Sequence, residues 1–279
     1  MLYNDTRYAE LYLERGEEIY LSQITHHKHK FHHLTIKNGN NLRTAYGYGG
    51  FRTTTYDPAF IYYALQEYED NCRKQDIYKD VIKWHPDNDL VNYSMFSEIN
   101  TKKKLAVHDL KKPHEYNQTT RNILNKDVKV YQTDDIDGFI KMYYGTMDYI
   151  KASEFYYFNR AYFEKLMRLP KVEMYCVEKD GKPISMGIFF LDKYASYHLS
   201  GNTREHNGTY HLLDYAIKRC KKNKCNKLLL GGGTTSMPDD TLMQFKMKFA
   251  NDVADYTVTT DYYNKMEVGD EYRTSIKLD

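Results

Sequence analysis

An apolar run, Lys227–Leu230, ends in Gly231-Gly232-Gly233-Thr234-Thr235. Asp239-Asp240 then opens a segment containing Gln244-Phe245-Lys246-Met247-Lys248-Phe249. A glycine-rich turn at a strand's carboxyl end lets backbone come close to a substrate, because glycine has no Cβ and takes positive φ freely. Gly231 and Gly232 are the expected contact points. Lys246 sits at the border of a Leu242, Phe245, Phe249 stripe, so its stem can pack while its ammonium reaches a cleft. A surface lysine on a basic helix fits the same residues, since Lys248 follows two positions on. His198, in Tyr197-His198-Leu199-Ser200, has the residue type of a general base, although a strand histidine serves equally as a structural hydrogen-bonder. His211 and Tyr157 are weaker candidates. The sequence offers no Ser-His-Asp order or nucleophile elbow. Cys220 and Cys225 have no matching second pair, so a zinc site is not expected.

Other stretches invite binding roles. Tyr46-Gly47-Tyr48-Gly49-Gly50 permits close backbone approach, and a tight turn explains it as well. Five histidines fall between Thr25 and Leu34, at positions 26, 27, 29, 32 and 33. A metal tract is one reading; a strand-turn-strand with a histidine-rich surface is the other. Arg121 is either a solvent-facing helix residue or an anion contact. The run Lys218-Arg219-Cys220-Lys221-Lys222-Asn223-Lys224, with Lys227, can meet nucleic-acid phosphates; lysines at a helix C-terminus are also favoured by the macrodipole.

These residues need elements to hold them. The 279-residue chain fits one large or two small domains, and with 41% hydrophobic residues each half can bury a core. A formal net charge of +2 gives no whole-molecule argument for a nucleic-acid partner. The four cysteines are scattered, which fits reduced thiols in a cytosol. The first residues lack a signal-peptide pattern and no apolar window is long enough to span a membrane, so a soluble cytoplasmic protein is expected, with peripheral membrane contact left open.

A helix over part of Tyr8–Leu21 followed by a strand is expected first. Asn38-Gly39 predicts a hairpin. Asp57-Pro58 predicts a helix start, with Phe60, Tyr63, Ala64 and Tyr68 apolar. Ile77–Trp84 and Leu105–Leu110 read as strands, and His114–Leu124 as a helix. Val128–Val130 opens a second half. Asp134 or Asp135 caps a helix to about Lys151, and Asn159 caps another through Met167. Val172–Glu178, Pro183–Leu191 and Ala195–Ser200 read as strands, with a hairpin at Lys179-Asp180-Gly181-Lys182. Gly208–Asn223 reads as an amphipathic helix burying Leu212, Leu213, Ala216, Ile217 and Cys220.

Several of these motifs, in this order, resemble the FemAB-like acyltransferases, a branch of the GNAT superfamily. They are Tyr46-Gly-Tyr-Gly-Gly50, Lys83-Trp84-His85-Pro86, Thr119-Thr-Arg-Asn122, Tyr144-Gly-Thr-Met147 with Ala152–Phe158, His198-Leu-Ser-Gly201, Leu230-Gly-Gly-Gly-Thr234 and Gln244–Phe249. The likeness covers roughly residues 40 to 250. Lys83 stands where the family has arginine and lacks its planar fork.

The resemblance implies an α/β (α+β) protein of two GNAT-like halves, each a mixed, mostly antiparallel sheet flanked by helices. The expected halves are 1–126, with a linking helix, and 127–279, which bears the reaction. It further implies an acyltransferase in which an acceptor amine attacks an acyl donor directly and forms an amide. Lys246 would stabilise the developing charge or the leaving oxygen, and His198 is the candidate base. Tyr46, Gly47, Tyr48, His85, Arg121, Tyr157, Ser200, Arg204, Gly231, Gly232 and Phe245 would line the substrate path. The acceptor would be an amino sugar or peptide amine of a surface-polysaccharide or cell-wall precursor. The donor would be acyl-CoA or, alternatively, aminoacyl-tRNA; a non-catalytic binding module is the remaining alternative. Arg204-Glu-His-Asn-Gly-Thr209 is a degenerate form of the GNAT pyrophosphate loop, with one glycine displaced. No bound cofactor or metal is expected.

Overall fold

The structure is a computed structural model and describes residues 2–94, 97–235, 237 and 239–263. Its first half runs α1 (Thr6–Ala9), β1 (Glu18–His26), β2 (His29–Asn38), β3 (Asn41–Arg43), β4 (Arg52–Thr53), α2 (Pro58–Lys74), β5 (Lys79–Lys83), β6 (Glu98–Asp109) and α3 (Gln118–Leu124). The second runs β7 (Lys129–Thr133), α4 (Ile136–Tyr149), α5 (Arg160–Met167), β8 (Val172–Lys179), β9 (Lys182–Phe190), β10 (Tyr194–Asn202), α6 (Gly208–Lys222), β11 (Lys227–Gly231), α7 (Thr241–Met247) and β12 (Asp252–Tyr262).

Local chemistry sets most of these boundaries. Asp57, Asn117, Asp135, Asn159 and Asp240 each accept a backbone N–H in the first turn of the helix that follows, satisfying a donor the helix itself leaves open. The Lys179–Lys182 hairpin closes with Asp180 and Gly181 both at positive φ, as a tight two-residue turn requires. Two expectations differ at this level. The N-terminal helix is only one turn, and the chain then forms a strand from Glu18, because Gly16 at φ +87° ends any helical run. The helix expected over His114–Leu124 begins at Gln118, where Asn117 caps it.

The chain forms two compact units. The major unit contains the chain up to Leu11 and Lys103–Asp255; the minor unit contains Tyr12–Lys102 and the chain from Tyr256 on. This division differs from the expected halves 1–126 and 127–279, of which 264–279 lie outside the described residues. Pairing explains the difference. β6 lies antiparallel to β11, with Asp109 opposite Lys227 and Ala106 opposite Gly231, so it joins the major unit's sheet. The end of β12 pairs with β5, from Val258 opposite Lys83 to Tyr262 opposite Lys79, so the last described strand completes the minor unit's sheet.

The major unit's strands run in the order β6-β11-β10-β9-β8-β7, antiparallel except for β10 and β11. The α6 stripe of Leu212, Leu213, Ala216, Ile217 and Cys220 is buried against Tyr175, Val177, Phe189, Ala195, Leu228 and Leu230, with Phe249 in the same core. Each such aliphatic side chain contributes about 1.5–3 kcal/mol by leaving water. The minor unit's strands run β1-β2-β3-β5-β12, antiparallel except for β3 and β5, with β4 beside β2. There α2 buries Phe60, Ile61, Ala64, Tyr68 and Cys72 on Phe31, Leu42, Ile82 and Trp84. The histidine-rich stretch is the β1–β2 hairpin, and its last member, His33, is buried with Nε2 3.0 Å from Asp80 Oδ2. Each unit is thus a mixed, mostly antiparallel sheet flanked by helices.

Candidate active site

Among the described residues the major unit has one parallel pair, and it is short. Tyr194, Ala195 and Ser196 of β10 lie opposite Lys227, Leu228 and Leu229 of β11, and the pairing stops there. Beyond it β10 keeps its bonds to β9 through Asn202, while β11 keeps its bonds to β6 through Gly231. The two carboxyl ends therefore part, each held by its outer neighbour. A register shift between Tyr197 and Leu199 turns the edge of β10 at this point. It brings Ser200 Oγ against the Tyr197 hydroxyl. Burial pushes the Tyr197 phenol up to about 12, so it stays protonated.

At the end of β11, four sequence candidates meet. Gly231 is at φ +84°, and a Cβ there would lie 3.1 Å from Lys246 Nζ. Gly232 offers its carbonyl oxygen to Lys246 Nζ at 2.6 Å. Phe245, next to Lys246 on α7, packs edge-on against Tyr210 and beside Phe249. Lys246 retains only 9% exposure, and burial lowers its ammonium to about 8, partly offset by Asp240. The ammonium is desolvated and directed by one carbonyl. Lys248, the other lysine of the motif, donates to the Tyr210 hydroxyl at 2.8 Å instead.

The turn itself is built on Asp240. Its Oδ2 accepts the Thr234 hydroxyl at 2.6 Å, the Thr235 N–H at 2.7 Å and the Thr235 hydroxyl at 3.1 Å, while Oδ1 accepts the Met243 N–H at 2.7 Å. Gly233 lies so close to this carboxylate that any Cβ would collide with it. The only sequence signal for this was an Asp-Asp pair ahead of a helix, which reads as a cap and no more.

The remaining candidates are distributed elsewhere. Tyr197 stacks on Phe189, and its neighbour His198 has a different set of contacts. The His198 ring packs on Phe190 and Tyr8, and Nε2 lies 3.0 Å from the Tyr162 hydroxyl. Burial lowers it to about 3, so it is neutral. These contacts fit the reading of a strand histidine as a structural hydrogen-bonder. Arg204 lays its guanidinium over the Tyr149 ring at 3.5 Å. The loop before α6 has Arg204, His206 and Asn207 at positive φ, and α6 begins without a side-chain cap. Gly208 is where it is because α6 rests on β9: a Cβ there would meet Ser185 Cβ at 2.8 Å. Tyr157 donates to Asp148 at 2.8 Å. Arg121 donates to the Tyr116 carbonyl at 2.6 Å and to Gln118 at 3.0 Å, closing the start of its own helix. His211 is buried on α6, and burial lowers it from the usual histidine range.

Tyr46, Gly47, Tyr48 and His85 belong to the minor unit. Gly47 is at φ +94° and the loop is tied to the end of β5: Gly49 N–H donates to Lys83 O at 2.6 Å, and His85 N–H to Gly49 O at 3.1 Å. Tyr46 lies beside Tyr12, and Tyr48 packs edge-on against His85 and Tyr256. His85 is buried and its Nδ1 accepts the Asp87 N–H at 3.2 Å. Lys83 is lowered from the usual lysine range, by burial first and by Arg43 second.

No family model and no curated protein sequence matches this chain. Solved structures do. FemX is similar at a TM-score of 0.70 with 11% identity, covering 92% of each chain. L-PGS from Bacillus licheniformis gives 0.59 with 12% identity, covering 84% of this chain and 82% of that one. A tandem GNAT protein from the clavulanic acid biosynthesis pathway gives 0.51 with 10% identity, covering 91% and 85%. The fold is therefore that of the GNAT proteins, and the chain shares it with FemX. Among the described residues no helix is long and apolar enough to cross a membrane.

Proposed function

We propose that the protein is an acyltransferase that forms an amide by direct attack of an acceptor amine on an acyl donor. The observation that carries this reading is Lys246: a desolvated ammonium on a glycine turn, at the end of a strand whose parallel neighbour parts from it. When the amine attacks, the carbonyl oxygen gains charge, and a preset cation in a low-dielectric site stabilises that charge with little reorganisation. The inner backbone edge of β10 beyond Ser196 supplies the surface along which the acyl group lies. The Tyr197–Ser200 hydroxyl pair borders it. No enzyme-bound acyl intermediate is required, and the amine's proton leaves to solvent or to the departing group; no step is assigned to His198.

The preferred donor is acyl-CoA, and the preferred acceptor is an amino sugar or peptide amine of a surface-polysaccharide or cell-wall precursor. The ground for that donor is the fold shared with the tandem GNAT protein, whose structure is one without AcCoA. A second reading takes aminoacyl-tRNA, and the exposed Lys221, Lys222 and Lys224 at the end of α6 favour it.

Thermal stabilisation of the whole protein by acetyl-CoA and CoA, against a matched nucleotide, tests the donor. A ligand at a hundredfold excess over its Kd adds about 2.7 kcal/mol. A CoA-specific rise in Tm supports the reading; none at millimolar CoA removes that donor and turns the search to charged tRNA. With the donor in hand, Lys246→Ala is expected to lower turnover by about 10²–10³ with Tm preserved. The part of the rate that needs the ammonium declines as pH rises through about 8, where Lys246 loses its proton. Unchanged turnover in the variant removes Lys246 from the reaction.

A further inference from the structure

We propose that Asp240 is the positioning residue of this site, holding the Gly231–Thr235 turn so that Lys246 is kept in its desolvated place. The inference rests on the reading of Lys246 as the reaction's cation. Asp240 itself is joined to groups of the turn and of α7, and Lys246 is joined to the turn's other end.

A helix cap needs one acceptor oxygen and one N–H, and Oδ1 with Met243 N–H fulfils that. The second oxygen is engaged separately. Oδ2 gathers both threonine hydroxyls and the Thr235 N–H, all from the turn and none from the helix. The carboxylate therefore joins two elements: the first turn of α7 and the loop leaving β11. Lys246 lies on α7 and donates to Gly232 O on that loop. Asp240–Thr234/Thr235 and Lys246–Gly232 are two ties between the same pair of elements, one near the start of α7 and one near its end. Gly233, between them, has no room for a Cβ against Asp240. If the first tie is released, the loop loses its carboxylate anchor and leans more on the lysine it is meant to direct.

The carboxylate is built to remain ionised. The Thr234 hydroxyl foremost, then the Met243 and Thr235 amides, hold it well below the usual carboxylate range. The other charged groups near the turn are turned elsewhere. Lys104, whose backbone oxygen borders Gly232, pairs with Asp255 at 2.8 Å, and Lys248 donates to Tyr210. Asp239 stands beside Asp240 on the chain, and the Asp240 charge opposes the effect of burial on Lys246.

Asp240 acts on Lys246 in two opposed ways, which makes the role testable. Its negative charge raises the Lys246 titration, whereas the tight turn it holds buries the ammonium and lowers it. Asp240→Asn keeps one acceptor for Met243 and removes the charge and the threonine anchor. Lys246 is followed by NMR in the full chain with ¹³Cε,¹⁵Nζ-labelled lysine, its resonance assigned by its loss in Lys246→Met. If Asp240 positions Lys246, the ammonium is released toward water and its titration rises from about 8, by about one pH unit or more. If Asp240 is only a cap, losing its charge leaves the titration in place or lowers it, and either result overturns the proposal.

Asp135→Asn is the control. It makes the same change at the cap of α4, where Asp135 Oδ1 accepts Gly138 N–H at 2.9 Å, and should leave Lys246 where it was. An equal rise in that control overturns the proposal. Should Asp240→Asn not fold, Thr235→Val keeps the carboxylate and removes one of its anchors. A smaller rise is then expected, and no rise overturns the proposal. These titrations need no substrate, so their failure is distinct from a failure to bind a donor.

Discussion

Lys246 and His198 are both desolvated, and burial has opposite consequences for them. Each loses affinity for a proton, to about 8 and about 3. At neutral pH that leaves the lysine charged and the histidine neutral. For His198 the folded state binds fewer protons than the unfolded chain between pH 3 and 6.5, so its contribution to stability falls as pH falls through that window. The loss at pH 5 is about 2 kcal/mol. His198→Gln is expected to keep a partner for Tyr162 and to remove most of that acid sensitivity. Urea unfolding at pH 7 and pH 5 measures it, and a variant that remains as acid-sensitive as the parent places the effect on other groups. The sequence shows the residue types here without the side each one faces. A histidine one position from Tyr197 reads as a neighbour of the same site, while the structure packs Tyr197 on Phe189 and His198 on Phe190.

Elements were legible where their signals are local. The caps at Asp57, Asp135 and Asn159, the Asn38-Gly39 and Asp180-Gly181 turns and the apolar stripe of α6 all lie within a few residues of what they determine. β5 shows the limit. Its apolar pattern at Ile77, Val81 and Trp84 suggests one buried face, but the residues buried against α2 include Asp80 and Ile82. Asp80 is tolerated there because the Tyr68 hydroxyl donates to it at 2.9 Å and His33 lies 3.0 Å away, partners 12 and 47 positions distant in the chain. Close approaches between elements are equally hidden. Gly201 lies on β10 where α4 crosses it, and a Cβ would lie 2.6 Å from the Met142 carbonyl carbon. Gly201→Ala must push α4 off the strand and is expected to cost about 1–3 kcal/mol. Chemical denaturation reads it directly; a variant as stable as the parent would show that α4 can shift freely.

For the molecule as a whole, the sequence order suggests two consecutive halves, and the structure forms two units that exchange ends. The chain up to Leu11 packs in the major unit, where Tyr3 and Tyr8 meet Phe190 edge-on, while the chain from Tyr256 returns to the minor unit. Strand pairing over more than a hundred residues leaves no local mark, so the boundary at 126/127 was the natural reading and the pairing of β6 with β11 was not visible. A fragment of residues 127–279 is therefore expected to fold poorly: it lacks β6, leaving β11 with an open edge, and it lacks Tyr3 and Tyr8. Circular dichroism and dye binding on that fragment, beside the full chain, check this; a cooperative, compact fragment would show that the missing pieces are dispensable. The returning strand has a consequence for biosynthesis. On the ribosome β1, β2, β3 and β5 emerge early, but the partner that closes β5 is β12, made only after the entire major unit. The minor unit's sheet, begun first, is completed last, so during translation its β5 edge stays open while the major unit is already able to take shape.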